Sequence, residues 1–108
     1  MNNNIAPKKA LPVSDVIKLM IRSYGATASH NAQRIYMAWN EVSGAGESTI
    51  RRYYRDGRLV ITLNSSVVRS ALLFQKEALL QKINTRIAQD SLFIDPDENC
   101  TVKELVLK

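Results

Sequence analysis

Four side chains near the middle of the sequence have the types and spacing needed to bind a polyanion. They are Arg51, Tyr53, Arg55 and Arg58. Alternate residues of a β-strand point to one face of a sheet, so the first three share a face if this segment is a strand. Guanidinium groups bind phosphates, and an aromatic ring stacks on bases. The pattern predicts either a nucleic-acid-binding surface or a solvated face of a sheet.

The hairpin that must position these side chains is centred on Asp56-Gly57. Asp-Gly is typical of a two-residue turn, because both turn residues need a positive φ that Asp tolerates and Gly adopts freely. With this turn, Arg55 lies opposite Arg58 and Ile50 lies opposite Leu63, and paired residues share a face. The predicted apolar face carries Ile50, Tyr54, Leu59, Ile61 and Leu63, with Arg52 among them, and the predicted outer face carries Arg51, Tyr53, Arg55, Arg58, Val60 and Thr62.

Apolar residues at helical spacing predict three helices around the hairpin. Their predicted bounds are 15–24 (capped by Ser14 and followed by Gly25), the segment from the Ser29 cap to Gly44, and one long helix over 66–88 (capped by Ser65 or Ser66). Residues 90–100 contain Pro96 and four acidic residues, and they predict a loop. Residues 101–107 predict a third strand.

This order of elements predicts an α+β, two-layer domain, α-α-β-β-α-β, with a three-stranded sheet packed against helices. The core is expected to contain Trp39, Ile50, Leu59, Ile61, Leu63, Leu72 and Leu79. The third strand pairs either with the second in parallel or with the first in antiparallel, and the sequence leaves both arrangements open. Residues 1–12 are expected to form a flexible leader, and residues 13–108 a single domain.

The charge of the chain favours an acidic partner. Fifteen basic and ten acidic residues give a net charge of +5 and a pI of about 9.6. Four of the ten acids fall within 90–98, so the body of the domain is more basic than the whole chain. A basic surface attracts nucleic acid or an acidic protein. Arg69 and Lys76, seven residues apart on a flank of the long predicted helix, form a second candidate binding surface.

Several classes of function have no support in the sequence. No apolar run approaches the ~20 residues of a membrane span, and Cys100 is the single cysteine, so a reducing cytoplasm is expected. No nucleophile–base set, metal-ligand spacing or phosphate-binding loop is present. His30 has no catalytic companion and is expected at the surface, and the acidic loop lacks the calcium-loop pattern. We expect a protein that is not an enzyme and has no cofactor, metal or small-molecule substrate.

A wider pattern resembles the DciA family. It comprises Trp39, Val42 and Gly44, then Asp56-Gly57-x-Leu59-Val60, Asn64-Ser65-Ser66, Leu72, Leu79-Leu80 and Ile83-Asn84, and it spans about 13–107. The resemblance implies a fold similar to a K-homology (KH) domain and a role in loading or activating the replicative DNA helicase. It also implies contacts with that helicase and with DNA, and no catalytic residues. The chain lacks the G-x-x-G loop of true KH domains, and one cysteine cannot form the zinc ribbon of longer members.

Three functions remain open from the sequence. The first is a helicase-loading accessory that binds single-stranded or forked DNA through Arg51, Arg55 and Arg58, with Tyr53 stacking on a base. The second is a single-stranded RNA-binding module that uses the same face. The third is a protein adaptor whose basic surface docks on an acidic partner without contacting nucleic acid.

Overall fold

The structure, a computed structural model, describes residues 11–94 and 101–108 of the chain. Within these residues the elements are α1 (Val13–Ser23), α2 (Thr27–Ser43), β1 (Thr49–Arg55), β2 (Arg58–Leu63), α3 (Ser66–Leu73), α4 (Lys76–Ala88) and β3 (Glu104–Leu107). The predicted α+β class and the order of the elements are confirmed, with the last helical segment divided in two. Residues 1–10, which make up most of the expected flexible leader, lie outside the described residues. Asp95, Asp97, Glu98 and Cys100 of the predicted loop also lie outside them.

The three strands form one sheet in the order β1-β2-β3. β1 and β2 are antiparallel, and β2 and β3 are parallel. Of the two pairings that the sequence left open for the third strand, the structure therefore has the parallel pairing with β2, reached through a helical crossover. β3 begins at Glu104 and is shorter than the predicted 101–107 strand.

The hairpin register is correct from the turn as far as the Arg51–Thr62 pair. Beyond that pair a β-bulge shifts the register, so that Leu63 lies opposite Thr49 and not opposite Ile50. An extra residue in one strand is left without a partner. Ile50 is consequently 64% exposed, and its predicted place in the core is wrong.

The turn itself has the predicted left-handed conformation. Asp56 has a φ of 53° and Gly57 a φ of 83°. The Gly57 carbonyl accepts hydrogen bonds from the backbone N–H groups of Lys103 (2.7 Å) and Glu104 (3.1 Å). The same glycine therefore closes the hairpin and receives the start of β3.

The first two helices begin earlier than predicted. α1 starts at Val13 behind Pro12, whose carbonyl accepts hydrogen bonds from the N–H groups of Asp15 and Val16, so Ser14 is not the cap. α2 starts at Thr27 behind Ala26, so Ser29 lies inside the helix. Its end is as predicted: Gly44 has a φ of 64°, the left-handed value that a Gly at this position adopts without strain.

The predicted long helix is two helices, and the expectation of one element over 66–88 is wrong. Ser65 caps α3 as predicted, accepting a hydrogen bond from the N–H of Val68 (3.2 Å). The chain leaves α3 after Leu73, and α4 begins at Lys76. The two helices pack on different parts of the domain, because α3 contacts β2 and β3 whereas α4 packs mainly on α2. No Gly or Pro marks the break.

The hydrophobic core lies between the sheet and the helices. Its buried side chains include Ile35, Trp39, Leu59, Ile61, Leu63, Leu72, Leu79, Ile83, Ile87 and Leu105. Apart from Ile50, the predicted core is confirmed. Trp39 is fully buried, and its indole Nε1 donates a hydrogen bond to Thr49 Oγ1 (3.0 Å), so its polar atom is satisfied.

The chain after α4 is fastened to α2. The backbone groups of Ile94 form two hydrogen bonds with the buried Asn31 side chain, its N–H donating to Oδ1 at 2.9 Å and its carbonyl accepting from Nδ2. His30 Nε2 lies 2.6 Å from the Leu92 carbonyl oxygen, and His30 is half-buried, so its predicted surface position is wrong. Ile94 is buried, which gives part of the predicted loop a structural role.

Candidate nucleic-acid interface

The two faces of the sheet differ in character because side chains alternate along each strand. The inner face is apolar and is covered by helices. On the outer face the side chains are exposed or half-buried, and within residues 11–94 and 101–108 no helix covers them. Strand register places Arg51, Tyr53, Arg55, Arg58, Val60, Thr62, Glu104 and Val106 on this outer face.

A shallow pocket of about 260 Å³ lies at the centre of the outer face. Its lining consists of Arg51, Tyr53, Arg58, Val60, Thr62 and Lys108. Tyr53 lies opposite Val60, so an aromatic ring and an aliphatic side chain lie side by side. The other four lining residues are three cations and a threonine hydroxyl. An apolar surface beside several cations can bind a flat aromatic group and an attached anion.

The positive charges of Arg55 and Arg58, near the turn, are partly neutralised by neighbouring carboxylates. Arg55 Nε is 3.6 Å from Asp56 Oδ2, and Arg58 Nε is 3.3 Å from Glu104 Oε1. A hydrogen bond with Tyr53 raises the pKa of Arg55, and the charges of Tyr53 and Asp56 raise it further against a small opposing effect of burial. Both ion pairs are exposed and contribute little to stability, so a ligand phosphate can replace the carboxylates.

Arg52 does not belong to this surface. Its Nε donates to Asn40 Oδ1 (3.0 Å) and its Nη2 donates to the Gly46 carbonyl (3.1 Å). These bonds join β1 to the end of α2, which explains how a charged residue fits on the inner side of the hairpin.

The second candidate surface is not assembled as predicted. Arg69 lies on α3 and Lys76 is the first residue of α4, so they do not share a flank of one helix. Both lie in the helical layer, on the other side of the sheet from Arg51 and Tyr53. The structure thus brings together Arg51, Tyr53 and Arg58, with Arg55 at the end of the hairpin. Arg69 and Lys76 lie on different helices.

The family described as Dna[CI] antecedent, DciA, matches residues 12–92, which are 81 of the 108 residues. The chain belongs to the DciA family. No curated protein and no solved structure matches it, so the KH-like character of this DciA-family domain stays a prediction.

Membership implies a helicase-loader-like accessory role in DNA replication. The match ends at residue 92 and so does not include β3. Among the described residues of this DciA-family chain, no helix is long and apolar enough to span a membrane. The same residues contain no cluster of three or more His, Cys, Asp or Glu that could hold a metal ion.

Lys108 is the one pocket residue of this DciA-family domain that sequence reasoning missed. Its backbone joins the sheet, with its N–H donating to the Ile61 carbonyl and its carbonyl accepting from the Leu63 N–H, both at 2.8 Å. Its side chain reaches the outer face because Lys108 follows Val106 by two residues. The alternation of side chains along β3 could be predicted from the sequence, but the strand that pairs with β3 could not.

Proposed function

We propose that this protein assists loading of the replicative DNA helicase and contacts DNA through the outer face of its sheet. The observation that carries the proposal is the pocket formed by Tyr53 and Val60 and surrounded by Arg51, Arg58 and Lys108. Membership in the DciA family supports the helicase-loading part. The chemistry of the outer face supports the DNA-binding part.

Single-stranded DNA fits this surface better than duplex DNA does. Residues two apart in a strand are separated by about 6.8 Å, so Arg51 and Arg55 lie about 14 Å apart along β1 with Tyr53 between them. An extended single strand offers phosphates to the two arginines and an unpaired base to the tyrosine. In a duplex, the base faces are already stacked and cannot reach the ring.

The mechanism is binding without turnover. The cations hold phosphates and release counterions, and the pocket accepts a base from the exposed strand. A protein that binds the helicase and a single strand together raises the local concentration of one near the other. This effect favours loading and does not require the accessory protein itself to hydrolyse a nucleotide.

The test compares two triple variants with the same loss of charge. Arg51, Arg55 and Arg58 are replaced by Gln in the first, and Lys18, Arg22 and Lys82 in the control. Binding to single-stranded DNA and RNA is measured at several salt concentrations. We expect the first variant to lower the log–log salt slope by about 2–3, at ~0.7–0.9 per contact, and the control to lower it much less.

Each outcome has a defined consequence. Equal affinities and slopes for the two variants, with both folded, would exclude the outer face as the binding site. An Arg69→Gln, Lys76→Gln variant then tests the helical layer. Tighter binding to RNA than to DNA would favour the RNA-binding alternative. Binding to neither nucleic acid, with helicase binding retained, would favour the protein adaptor.

A further inference from the structure

A groove at one edge of the sheet, between α2 and β1, has no role in the site described above. Its volume is about 450 Å³, and we call it the α2–β1 groove. One wall is a single face of α2, with residues at three- and four-residue spacing, and the other wall is formed by residues 50–52. The lining residues are Gln33, Tyr36, Met37, Asn40, Ile50, Arg51 and Arg52. Arg51 also lines the pocket at the centre of the outer face (the outer-face pocket), so the two cavities are neighbours that share one cation.

Two hydrogen bonds hold the walls of the α2–β1 groove together. Asn40 Oδ1 accepts a hydrogen bond from Arg52 Nε (3.0 Å), and the Tyr36 hydroxyl accepts one from the Tyr54 N–H (3.0 Å). Each bond joins α2 to β1, and α2 is itself anchored in the core by the fully buried Trp39. The groove therefore exists before any ligand arrives, and a ligand does not have to order its walls.

The groove contains apolar surface that the core does not use. Met37 is 47% exposed and Ile50 is 64% exposed. Ile50 is exposed because the β-bulge removes it from the alternation that buries its neighbours, and a bulge beside a functional site commonly redirects a side chain in this way. A small ligand site combines such apolar surface with a few polar groups that fix the orientation of the ligand.

The polar groups of the groove suit an anion that also has a hydrogen-bonding edge. Arg51 and Arg52 form no ion pair among residues 11–94 and 101–108, and no lining residue is acidic. Because Asn40 Oδ1 is occupied by Arg52, the Asn40 amide has its Nδ2 donor left, and the exposed Gln33 supplies a second amide. Guanidinium groups bind phosphate, and amide side chains form hydrogen bonds with the edges of bases. A nucleotide combines a phosphate, a flat apolar face and such an edge.

Two other occupants fit the groove less well. A peptide strand added to β1 would need the backbone groups of the edge. The Tyr54 N–H is already bonded to Tyr36, and the bulge interrupts the strand at Ile50. A second copy related by a two-fold axis would place the same patch of both molecules face to face, so that Arg51 and Arg52 of each copy would repel those of the other.

We propose that the α2–β1 groove is a second nucleotide subsite, which binds an unpaired base of the same single strand that occupies the outer-face pocket. This inference rests on the proposed function, because it extends the bound DNA strand past Arg51. Arg51 then contacts the phosphate between two bases, one on the outer face and one beyond the edge of β1. A strand that follows this path must turn at the edge of the sheet, so the subsite selects flexible, unpaired DNA.

The test compares a Met37→Ala, Ile50→Ala variant with a Val67→Ala, Leu73→Ala variant, which truncates two exposed apolar residues of α3. Affinity is measured for an oligothymidylate of about 8 nucleotides, within the usual range of site sizes, and for an abasic strand of the same length. The abasic strand keeps the phosphates and lacks the bases. We expect the first variant to bind the oligothymidylate about fivefold more weakly, the lower end of the range for loss of the surface that supports one base. It should bind the abasic strand like the parent, and the α3 variant should bind both strands like the parent.

A second variant tests whether a phosphate lies in the groove. Asn40→Asp keeps an oxygen for Arg52 and adds a negative charge, so it should weaken binding to both strands, and the loss should shrink as salt is raised. Gln81→Glu makes the same amide-to-acid change at an exposed position of α4 and should bind both strands like the parent. Unchanged melting temperatures show that the variants are folded. Equal affinities of Asn40→Asp and the parent would exclude a phosphate near Asn40.

A Tyr53→Ala variant, which alters only the outer-face pocket, separates failure of the subsite from failure of the proposed function. The subsite is refuted, and the proposed function stands, if Tyr53→Ala weakens binding to the oligothymidylate and Met37→Ala, Ile50→Ala does not. An equal loss in the α3 variant, or an equal loss for the abasic strand, would also refute it. So would a loss of protein binding or of a parent dimer in Met37→Ala, Ile50→Ala with DNA binding unchanged, which would assign the groove to a protein. A parent that binds neither strand would instead refute the DNA contact of the proposed function.

Discussion

Arg58 and Glu104 lie directly opposite each other on the parallel strands β2 and β3, with Arg58 Nε 3.3 Å from Glu104 Oε1. The pair places one carboxylate at the margin of an otherwise cationic pocket. Because both side chains are more than half exposed, the ion pair adds little to stability. Its main effect falls on the charge that the outer face presents to a ligand.

Glu104→Gln should therefore strengthen binding to single-stranded DNA. Removing the carboxylate frees Arg58 for a phosphate, and we expect an affinity gain of up to about fivefold, equivalent to an exposed ion pair of at most ~1 kcal/mol. The salt slope should steepen by up to about 0.7. Glu77→Gln removes the same charge from α4 and is the matched control. A gain of equal size in that control would mean that net charge, and not position, is responsible.

Leu72→Ala and Leu73→Ala should differ sharply although the residues are neighbours. Leu72 is buried between α3 and the sheet, and its truncation leaves a cavity, so we expect a loss of about 2–5 kcal/mol in the free energy of unfolding. Leu73 is about half exposed, and its truncation should change stability by roughly 0.5 kcal/mol or less. Urea denaturation of both variants measures the difference. Similar losses would show that the packing of α3 on the sheet is misassigned.

Gly57→Val should destabilise the hairpin by about 1–3 kcal/mol, because a branched side chain resists a φ of 83°. A Cβ at this position also lies 3.2 Å from Lys103 Cδ and 3.3 Å from Lys103 Cγ. Gly25 has a similar φ of 69° but open space around it, so Gly25→Val carries the conformational cost without the contact. Thermal melting compares the two variants. An unchanged melting temperature for Gly57→Val would contradict the left-handed turn.

Asp90 should make the folded state sensitive to acid. Burial alone would raise the pKa of Asp90, but hydrogen bonds from Arg34 and the Leu92 N–H, with the charges of Arg34 and Arg86, lower it overall. Arg34 Nε lies 2.6 Å from Asp90 Oδ2. A carboxylate with a lowered pKa binds fewer protons in the folded state than in the unfolded state. Its stabilisation is therefore complete above the unfolded pKa of about 3.9 and is lost as the pH falls through the folded value.

Asp90→Asn should consequently lower stability at neutral pH by about 1–3 kcal/mol, since Arg34 loses a charged partner. It should also flatten the fall in stability as the pH drops below the unfolded pKa of about 3.9. Denaturation at a series of pH values measures both effects. Asp56→Asn, at an exposed position in the turn, is the control. The role given to Asp90 is wrong if the parent and Asp90→Asn lose stability in parallel over this range.

The hairpin and the core were predictable because local chemistry determined them. Asp56-Gly57 defined the turn, and alternation from that turn placed Tyr53 and Leu59 on opposite faces. The prediction for Ile50 was wrong because this bulge has no sequence signature: Thr49, next to Ile50, accepts a hydrogen bond from the Trp39 indole of α2, and strand alternation does not reveal such a contact. For the candidate site, the sequence predicts on which face of the sheet each side chain lies, and it does not identify the ligand.

The break between α3 and α4 could not be predicted from the sequence for a different reason. Leu72 and Leu79 fit one continuous helical stripe, and neither Gly nor Pro separates them. The helix ends because Leu72 packs toward the sheet while the α4 side chains pack toward α2, and tertiary contacts can override helix propensity. The position of Lys108 depended likewise on which strand β3 joined.

β1 is an edge strand of the sheet, so among the described residues no other strand lies on the side of β1 away from β2. The Tyr36 hydroxyl accepts a hydrogen bond from the Tyr54 N–H at 3.0 Å, and the bulge at Ile50 interrupts the straight edge further along. A foreign strand that approached this side would meet an occupied donor and a kink instead of a regular ladder. The β1 edge beside the basic sheet face therefore discourages strand-by-strand growth into fibrils on that side.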